Sequence, residues 1–275
     1  MNASDASQQR IGVFDSGVGG LTVLKALREE LPREDLLYLG DTARLPYGTK
    51  SPASISRYAC QATTQLQASG IKLLVVACNT ASAVALQALR EQMSPLPVIG
   101  VVEPGASAAV AARPGGKHLV LATETTVRLR AYSSAIAAKD SAAQVSELAC
   151  EMLVSLAEEG WNDGDIAEAI VRRYLRDAGE AAVDLDSVIL GCTHFPLLRA
   201  TFADVLDASV AIVDSASTTA AAARELLASK SLLNGEQGQG SLKLLATDGA
   251  TRFARVGGQF LGAPLTADDV TVVDL

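Results

Sequence analysis

Short apolar runs alternate with longer stretches in which apolar residues return every three or four positions. Runs at residues 11–14, 36–39, 73–77, 98–102, 118–122, 188–190, 211–213, 242–246 and 270–273 are the expected strands. Most are continuous rather than alternating, as strands covered on both faces are. Between them, Leu21, Leu24, Leu27 and Leu31 repeat at helical spacing. Ser51-Pro52 reads as an N-cap followed by proline in the first turn, opening a helix that ends near Gly70. Residues 165–178 and 218–230 are further helices, and 234–241, rich in Gly and Gln, is an exposed loop. Alternating strands and helices predict an α/β fold with mainly parallel sheets.

The pattern also repeats. "LLVVACNTA" and "SVILGCTHF" share one plan: an apolar strand, a small residue, a cysteine, then hydroxyl or amide residues opening a helix. Two similar halves follow, with a boundary near 101–104 and a return near 213–217. The expected division is 1–101 plus 214–275 as one domain and 102–213 as the other.

Composition narrows the function. Aromatics make up 4% against 49% hydrophobic residues, which suits helices packed on parallel sheets. The formal net charge of −8 argues against a basic nucleic-acid footprint, although helix N-termini can still take an anion. "MNASDASQQR" lacks the apolar core of a signal peptide. The longest uncharged run, 73–89, is shorter than the ~20 apolar residues of a membrane helix. A cytoplasmic protein, with no membrane or nucleic-acid partner, is expected. Cys60, Cys78, Cys150 and Cys192 form no C-x-x-C pair. Free thiols in a reducing compartment are therefore expected, with no metal.

Three further stretches place small or polar residues at strand ends, where open α/β sheets bind ligands. In "VFDSGVGGLTVL", glycines after Asp15-Ser16 open a helix. They allow close approach of a ligand, but the G-x-G-G pattern is not a dinucleotide fingerprint or a P-loop. Asp15 in that setting either caps the helix or faces a ligand. "GDTARLPYG" is an irregular loop in which Tyr47 could present a hydroxyl or a ring face. "GCTHFP" puts Cys192, Thr193 and His194 in succession, while His118, within an apolar strand, reads as structural. Alone, either cysteine is as well explained by packing. As a pair at equivalent points of two halves, they suit another task. One thiolate takes a proton from one face of a carbon and one thiol gives a proton to the other face.

With these motifs assembled, the chain resembles the glutamate racemases, cofactor-independent enzymes that make D-glutamate for peptidoglycan. "IGVFDSGVGGLTVL", "YLGDTARLPYG", "VVACNTASA", "GVVEPG" and "ILGCTHFPLL" carry the resemblance, in family order, over most of the chain. It implies two flavodoxin-like, doubly wound domains related by a pseudo-twofold axis, with the active site in the interdomain cleft. It further implies Cys78 and Cys192 as the acid/base thiols, the first for D-glutamate and the second for L-glutamate, assisted by Asp15 and His194. Asp15, Ser16, Pro46, Tyr47, Gly48, Asn79, Thr80, Thr123, Thr126, Thr193 and His194 would bind substrate, with Glu158 as an auxiliary acid. Cys60 and Cys150 would be structural. No cofactor and a homodimer are expected.

The match is incomplete. "ATETTVRLRAY" departs from the family's G-T-x-x-T-like loop, and Ala149-Cys150-Glu151 stands where Ala-Cys-Pro is common. Two alternatives stay open: a racemase for aspartate or another amino acid, and a non-catalytic binding or regulatory protein.

Overall fold

The computed structural model describes residues 6–275; residues 1–5 of the polar N-terminal segment lie outside them. The elements run β1 (Arg10–Asp15), α1 (Leu21–Glu30), β2 (Leu36–Gly40), α2 (Pro52–Ala68), β3 (Ile71–Val76), α3 (Asn79–Met93) and β4 (Val98–Gly100). Then come α4 (Val102–Ala112), β5 (Lys117–Ala122), α5 (Glu124–Arg128), α6 (Ala131–Ala137), β6 (Gln144–Ala149), α7 (Glu151–Glu159) and α8 (Gly164–Asp177). The chain finishes with β7 (Ser187–Gly191), α9 (Arg199–Val205), β8 (Ala211–Asp214), α10 (Ser215–Ser229), β9 (Leu242–Ala246), α11 (Ala250–Leu261) and β10 (Val270–Val272).

Two sheets form, in the orders β10-β9-β2-β1-β3-β4 and β6-β5-β7-β8. Every strand pairing among the described residues is parallel. Both sheets contain the same four-strand plan: the first strand is central, the second lies on one side, and the third and fourth lie on the other. That is the flavodoxin-like order, whose ligand crevice lies at the carboxyl ends of the first and third strands. In the first sheet these are β1 and β3, which deliver Asp15 and Cys78. In the second they are β5 and β7, which deliver Thr123 and Cys192.

The continuous apolar runs have a direct cause. Ile11 and Val13 of β1 enter the layer that packs α1, α10 and α11, while Phe14 enters the opposite layer under α2 and α3. Likewise Leu119 and Leu121 of β5 face one core, and Val120 and Ala122 the other. Each fully buried Leu, Ile or Val contributes roughly 1.5–3 kcal/mol over its exposed state, which fixes the strands as rigid supports. Ser51 Oγ accepts from Ser54 N–H and Pro52 opens α2, and Gly70 follows it at φ +73°. The 234–241 segment has no regular structure.

Two expectations need correction, and one strand is additional. The apolar run at 98–102 is a strand only to Gly100, and Val102 opens α4; an apolar run alone does not separate a strand end from a buried helix start. Helix α10 starts at Ser215 rather than 218, because Asp214 Oδ1 accepts from Ala216 N–H (3.1 Å) and Ser217 N–H (2.9 Å). Strand β6 was not anticipated. Among the described residues it is an edge strand that pairs with β5 alone, and its sequence, QVSELA, lacks an apolar run.

Candidate active site

The carboxyl ends of the two sheets meet around a cavity of about 600 Å³, counting its open mouth. Both thiols line it, as do all the expected site residues except Asp15 and Thr126. Those two lie behind the wall: Asp15 behind Ser16, and Thr126 behind Thr123, to which its hydroxyl bonds at 3.2 Å.

Cys78 stands just past β3 and is the N-cap of α3; its sulfur accepts from Ala81 N–H at 3.4 Å. Burial, reinforced by the negative charge of Asp15, pushes its thiol up to about 12, against the hydrogen bonds of Ser16 and Ala81. Cys78 therefore keeps its proton at neutral pH. Asp15 is buried at the end of β1. Its Oδ2 accepts from Gly17 N–H (2.8 Å), while Oδ1 has no hydrogen-bond partner among the described residues. Burial raises its pKa, and the Gly17 N–H and His194 pull against that rise. Asp15 thus folds back on its own turn instead of capping α1, whose cap residue is Gly20.

Cys192 follows β7, with His194 Nδ1 3.7 Å from its sulfur. His194 Nε2 faces Glu158 Oε1 of α7 at 3.2 Å, and Glu158 Oε2 accepts from Arg252 of α11 at 2.7 Å. Burial would lower the pKa of His194. Its bonds to Cys192 and Glu158 outweigh burial and push it up to about 10. The bond to His194 in turn lowers Glu158, although burial opposes it. A cationic imidazole is thus favoured at the Cys192 sulfur.

The glycines of "GVGG" have a steric reason. A Cβ on Gly19 would stand 2.4 Å from Thr193 Oγ1 and 2.5 Å from His194 Nδ1; one on Gly20 would stand 2.5 Å from Asp15 Cβ. The turn after β1 and the "GCTH" loop are therefore in close contact, and Thr22 Oγ1 donates across it to Thr193 O (2.8 Å). The other edge is joined by hydroxyls: Thr80 and Thr123 Oγ1 lie 2.9 Å apart. Thr125 Oγ1 donates to Gly48 O at 2.6 Å.

Some expected ligands have prior partners. The Tyr47 hydroxyl donates to the buried Asp41 at 2.5 Å, so Tyr47 lines the cavity with its hydroxyl already used. Asp41 also accepts from Arg44 Nε (2.8 Å) and Thr247 Oγ1 (3.0 Å). The Asn79 amide lies 2.7 Å from Tyr132 Oη. With its nitrogen on that side it donates to Tyr132 Oη and Gly191 O (3.3 Å), and its oxygen accepts from Thr193 N–H (3.2 Å); amide orientation is assigned from such networks. Asp41, Thr22, Tyr132 and Arg252 were not foreseen as parts of the site. Asp41 sat in a quoted loop but read as a turn residue, and the others come together only through the fold. His118 is buried at the opposite end of β5 and bonds Ser187 (2.7 Å), as a structural histidine should. Among the described residues, no group of three or more His, Cys, Asp or Glu could hold a metal ion, and no helix is long and apolar enough to cross a membrane.

The sequence profile of the family described as Asp/Glu/Hydantoin racemase matches residues 11–223. A curated glutamate racemase of Geobacter metallireducens is 48% identical over 255 residues, covering 93% of both chains. The crystal structure of glutamate racemase from Francisella tularensis in complex with D-glutamate aligns with a TM-score of 0.87 at 34% identity, over 97% of this chain and 98% of that one. Glutamate racemase from Thermus thermophilus in complex with β-chloro-D-alanine aligns with a TM-score of 0.87 at 43% identity, over 98% of both. Two parallel sheets with a shared strand order, a thiol at equivalent points of each, and this near full-length likeness agree: the chain belongs to the Asp/Glu/hydantoin racemase family, alongside the glutamate racemases.

Proposed function

We propose that this protein is a pyridoxal-phosphate-independent glutamate racemase that interconverts L- and D-glutamate and so supplies D-glutamate for peptidoglycan. The observation that carries the reading is one cavity lined by Cys78 at the carboxyl end of one sheet and by Cys192 at the carboxyl end of the other. The lobes are residues 1–101 plus 214–275 and residues 102–213, with the cleft between them. A homodimer and a cytoplasmic setting go with the reading.

Bound L-glutamate places its Cα between the sulfurs. The Cys192 thiolate, held beside cationic His194, takes the Cα proton, and the C–H pair stays on carbon as a carbanion. The Cys78 thiol, whose burial keeps it protonated, gives its proton to the opposite face. A new C–H bond forms with inverted configuration, and the negative charge has moved from one sulfur to the other. D-glutamate reacts by the reverse steps, with Cys78 as the base and Asp15 as the carboxylate that assists it. Two thiols each doing general acid–base work are worth about 10²–10⁴-fold apiece. Backbone N–H groups at the start of α3, with Ser16, Thr80, Thr123 and Thr193, supply neutral donors for two carboxylates and for the developing charge.

Circular dichroism of L- and of D-glutamate with the enzyme, without pyridoxal phosphate, should show decay to zero ellipticity, and L-aspartate should not decay. Faster loss of the aspartate signal would favour an aspartate racemase. Replacing either cysteine, in Cys78→Ser or Cys192→Ser, should lower turnover by about 10³-fold or more. Near-normal rates in both variants would defeat the two-thiol mechanism.

A further inference from the structure

Tyr132 lies on α6 and is fully buried. Its ring sits between two glycines. A Cβ on Gly105 of α4 would stand 3.2 Å from the ring's Cε1, and a Cβ on Gly191 would stand 3.0 Å from its Cε2. Gly191 is the residue immediately before Cys192. The Tyr132 hydroxyl is bonded to the Asn79 amide at 2.7 Å, and Asn79 is the residue immediately after Cys78. The same amide reaches Gly191 O (3.3 Å) and Thr193 N–H (3.2 Å), the backbone groups on either side of Cys192. One aromatic side chain therefore rests against the backbone carrying one thiol and bonds the residue beside the other.

We propose that Tyr132 is a positioning residue that sets the separation of Cys78 and Cys192 across the cleft. It does not line the cavity, so it acts through Asn79 and Gly191 and not on substrate. Core filling alone would be met by phenylalanine, which has the same shape and no hydroxyl to satisfy. The hydroxyl is instead aimed at the one amide that joins the two thiol loops. Burial and the nearby Cys192 push the phenol up, so the hydroxyl stays protonated through the working range and the bond is present throughout. Two sulfurs must flank one carbon for transfer from face to face, and small errors of placement slow such a step far more than they weaken binding.

This inference rests on the racemase reading, and the experiment separates the two. Parent, Tyr132→Phe, Asn79→Ala and the double variant are compared for kcat and KM in both directions by circular dichroism, with thermal melts alongside. The expected result is a folded Tyr132→Phe enzyme with kcat reduced about tenfold or more in both directions and KM within about threefold. In the Asn79→Ala background the same change should cost no more than about twofold, since the strut is already broken. Gly105→Ala, which presses on the Cε1 edge of the ring opposite the Cε2 edge that rests on Gly191, should fold and lose kcat several-fold; it decides the matter if Tyr132→Phe does not fold. Parent-like kcat in Tyr132→Phe, or in a folded Gly105→Ala when the first variant is unfolded, overturns the inference. So does a rise in KM with kcat unchanged, or full additivity with Asn79→Ala. If the parent itself does not racemise glutamate, the racemase reading is what has failed.

Discussion

The Nε2 atom of His194 stands 3.2 Å from Oε1 of Glu158, tying the loop after β7 to α7. Since this bond helps push His194 up to about 10, Glu158→Gln should bring the histidine down toward its ordinary value. His194 is raised above its unfolded value of about 6.5. Its contribution to stability is therefore complete below that pH and is lost as pH rises through about 10. The alkaline limb of kcat/KM for L-glutamate should move down by about one pH unit or more in the variant. Melting curves of parent and variant should converge at high pH. A pH–rate profile from neutral to strongly alkaline solution checks this, and an unmoved limb would remove His194 from the reaction.

For Asp15, stability and the proposed role oppose each other. Burial raises its pKa from 3.8, so the folded state resists ionising it. That cost is absent below 3.8 and grows as pH rises through the folded value. Asp15→Asn keeps an acceptor for the Gly17 N–H and carries no charge. It should melt above the parent at neutral pH, by about 2–4 °C for each kcal/mol recovered, with the gap closing in acid. Activity should fall by about 10²-fold or more. Calorimetry at several pH values beside a racemisation assay would show it; a lower melting point at neutral pH would contradict the account.

Gly17 and Gly19, two of the three glycines of the first turn, should respond differently. Gly19→Ala drives a methyl into Thr193 and His194, whereas a Cβ on Gly17 meets only Leu45 Cδ2, at 3.4 Å. Gly19→Ala should cost about 1–3 kcal/mol of stability and lower kcat/KM by about 10²-fold, while Gly17→Ala stays within about threefold of the parent. Equal effects in the two would mean that the close approach of the two loops is not what the motif serves.

At the far end of the strands, Lys72 of β3 pairs with Glu34. Both side chains are almost wholly buried, and Lys72 Nζ also donates to Leu232 O at 2.9 Å. Lys72→Met leaves Glu34 as an uncompensated buried charge and should cost about 3–5 kcal/mol. The pair is remote from the cleft, so turnover per folded molecule should be unchanged. Denaturant titration together with kcat at low temperature separates the two effects.

The strand runs and the helical spacings were legible because the chain's apolar pattern follows the two covered faces of each sheet; Leu73, Leu74, Val75 and Val76 had to be apolar for different cores. Strand β6 was not legible because an edge position tolerates Gln144, Ser146 and Glu147. The two thiols stood out as a repeat and as a family likeness, since each cysteine follows the strand of the same strand–loop–helix plan, and both line the one cavity. Its supports were not. Asp41 looks like a turn residue until Tyr47, Arg44 and Thr247 converge on it. Tyr132 has no periodic signal that distinguishes its hydroxyl from core filling, because its partner Asn79 lies 53 residues away in the chain. Likewise Arg252, which holds Glu158, belongs to a helix from the other end of the sequence.

Two thiols on opposite faces of one carbon make a demand that a single base does not. Incubating L-glutamate with the enzyme in D₂O, without added pyridoxal phosphate, and following early product by proton NMR and circular dichroism tests it directly. The account predicts that newly formed D-glutamate carries solvent deuterium at Cα while the remaining L-glutamate keeps its proton. Return of the original proton to D-glutamate, or deuterium entering both enantiomers at equal rates from the start, would contradict it.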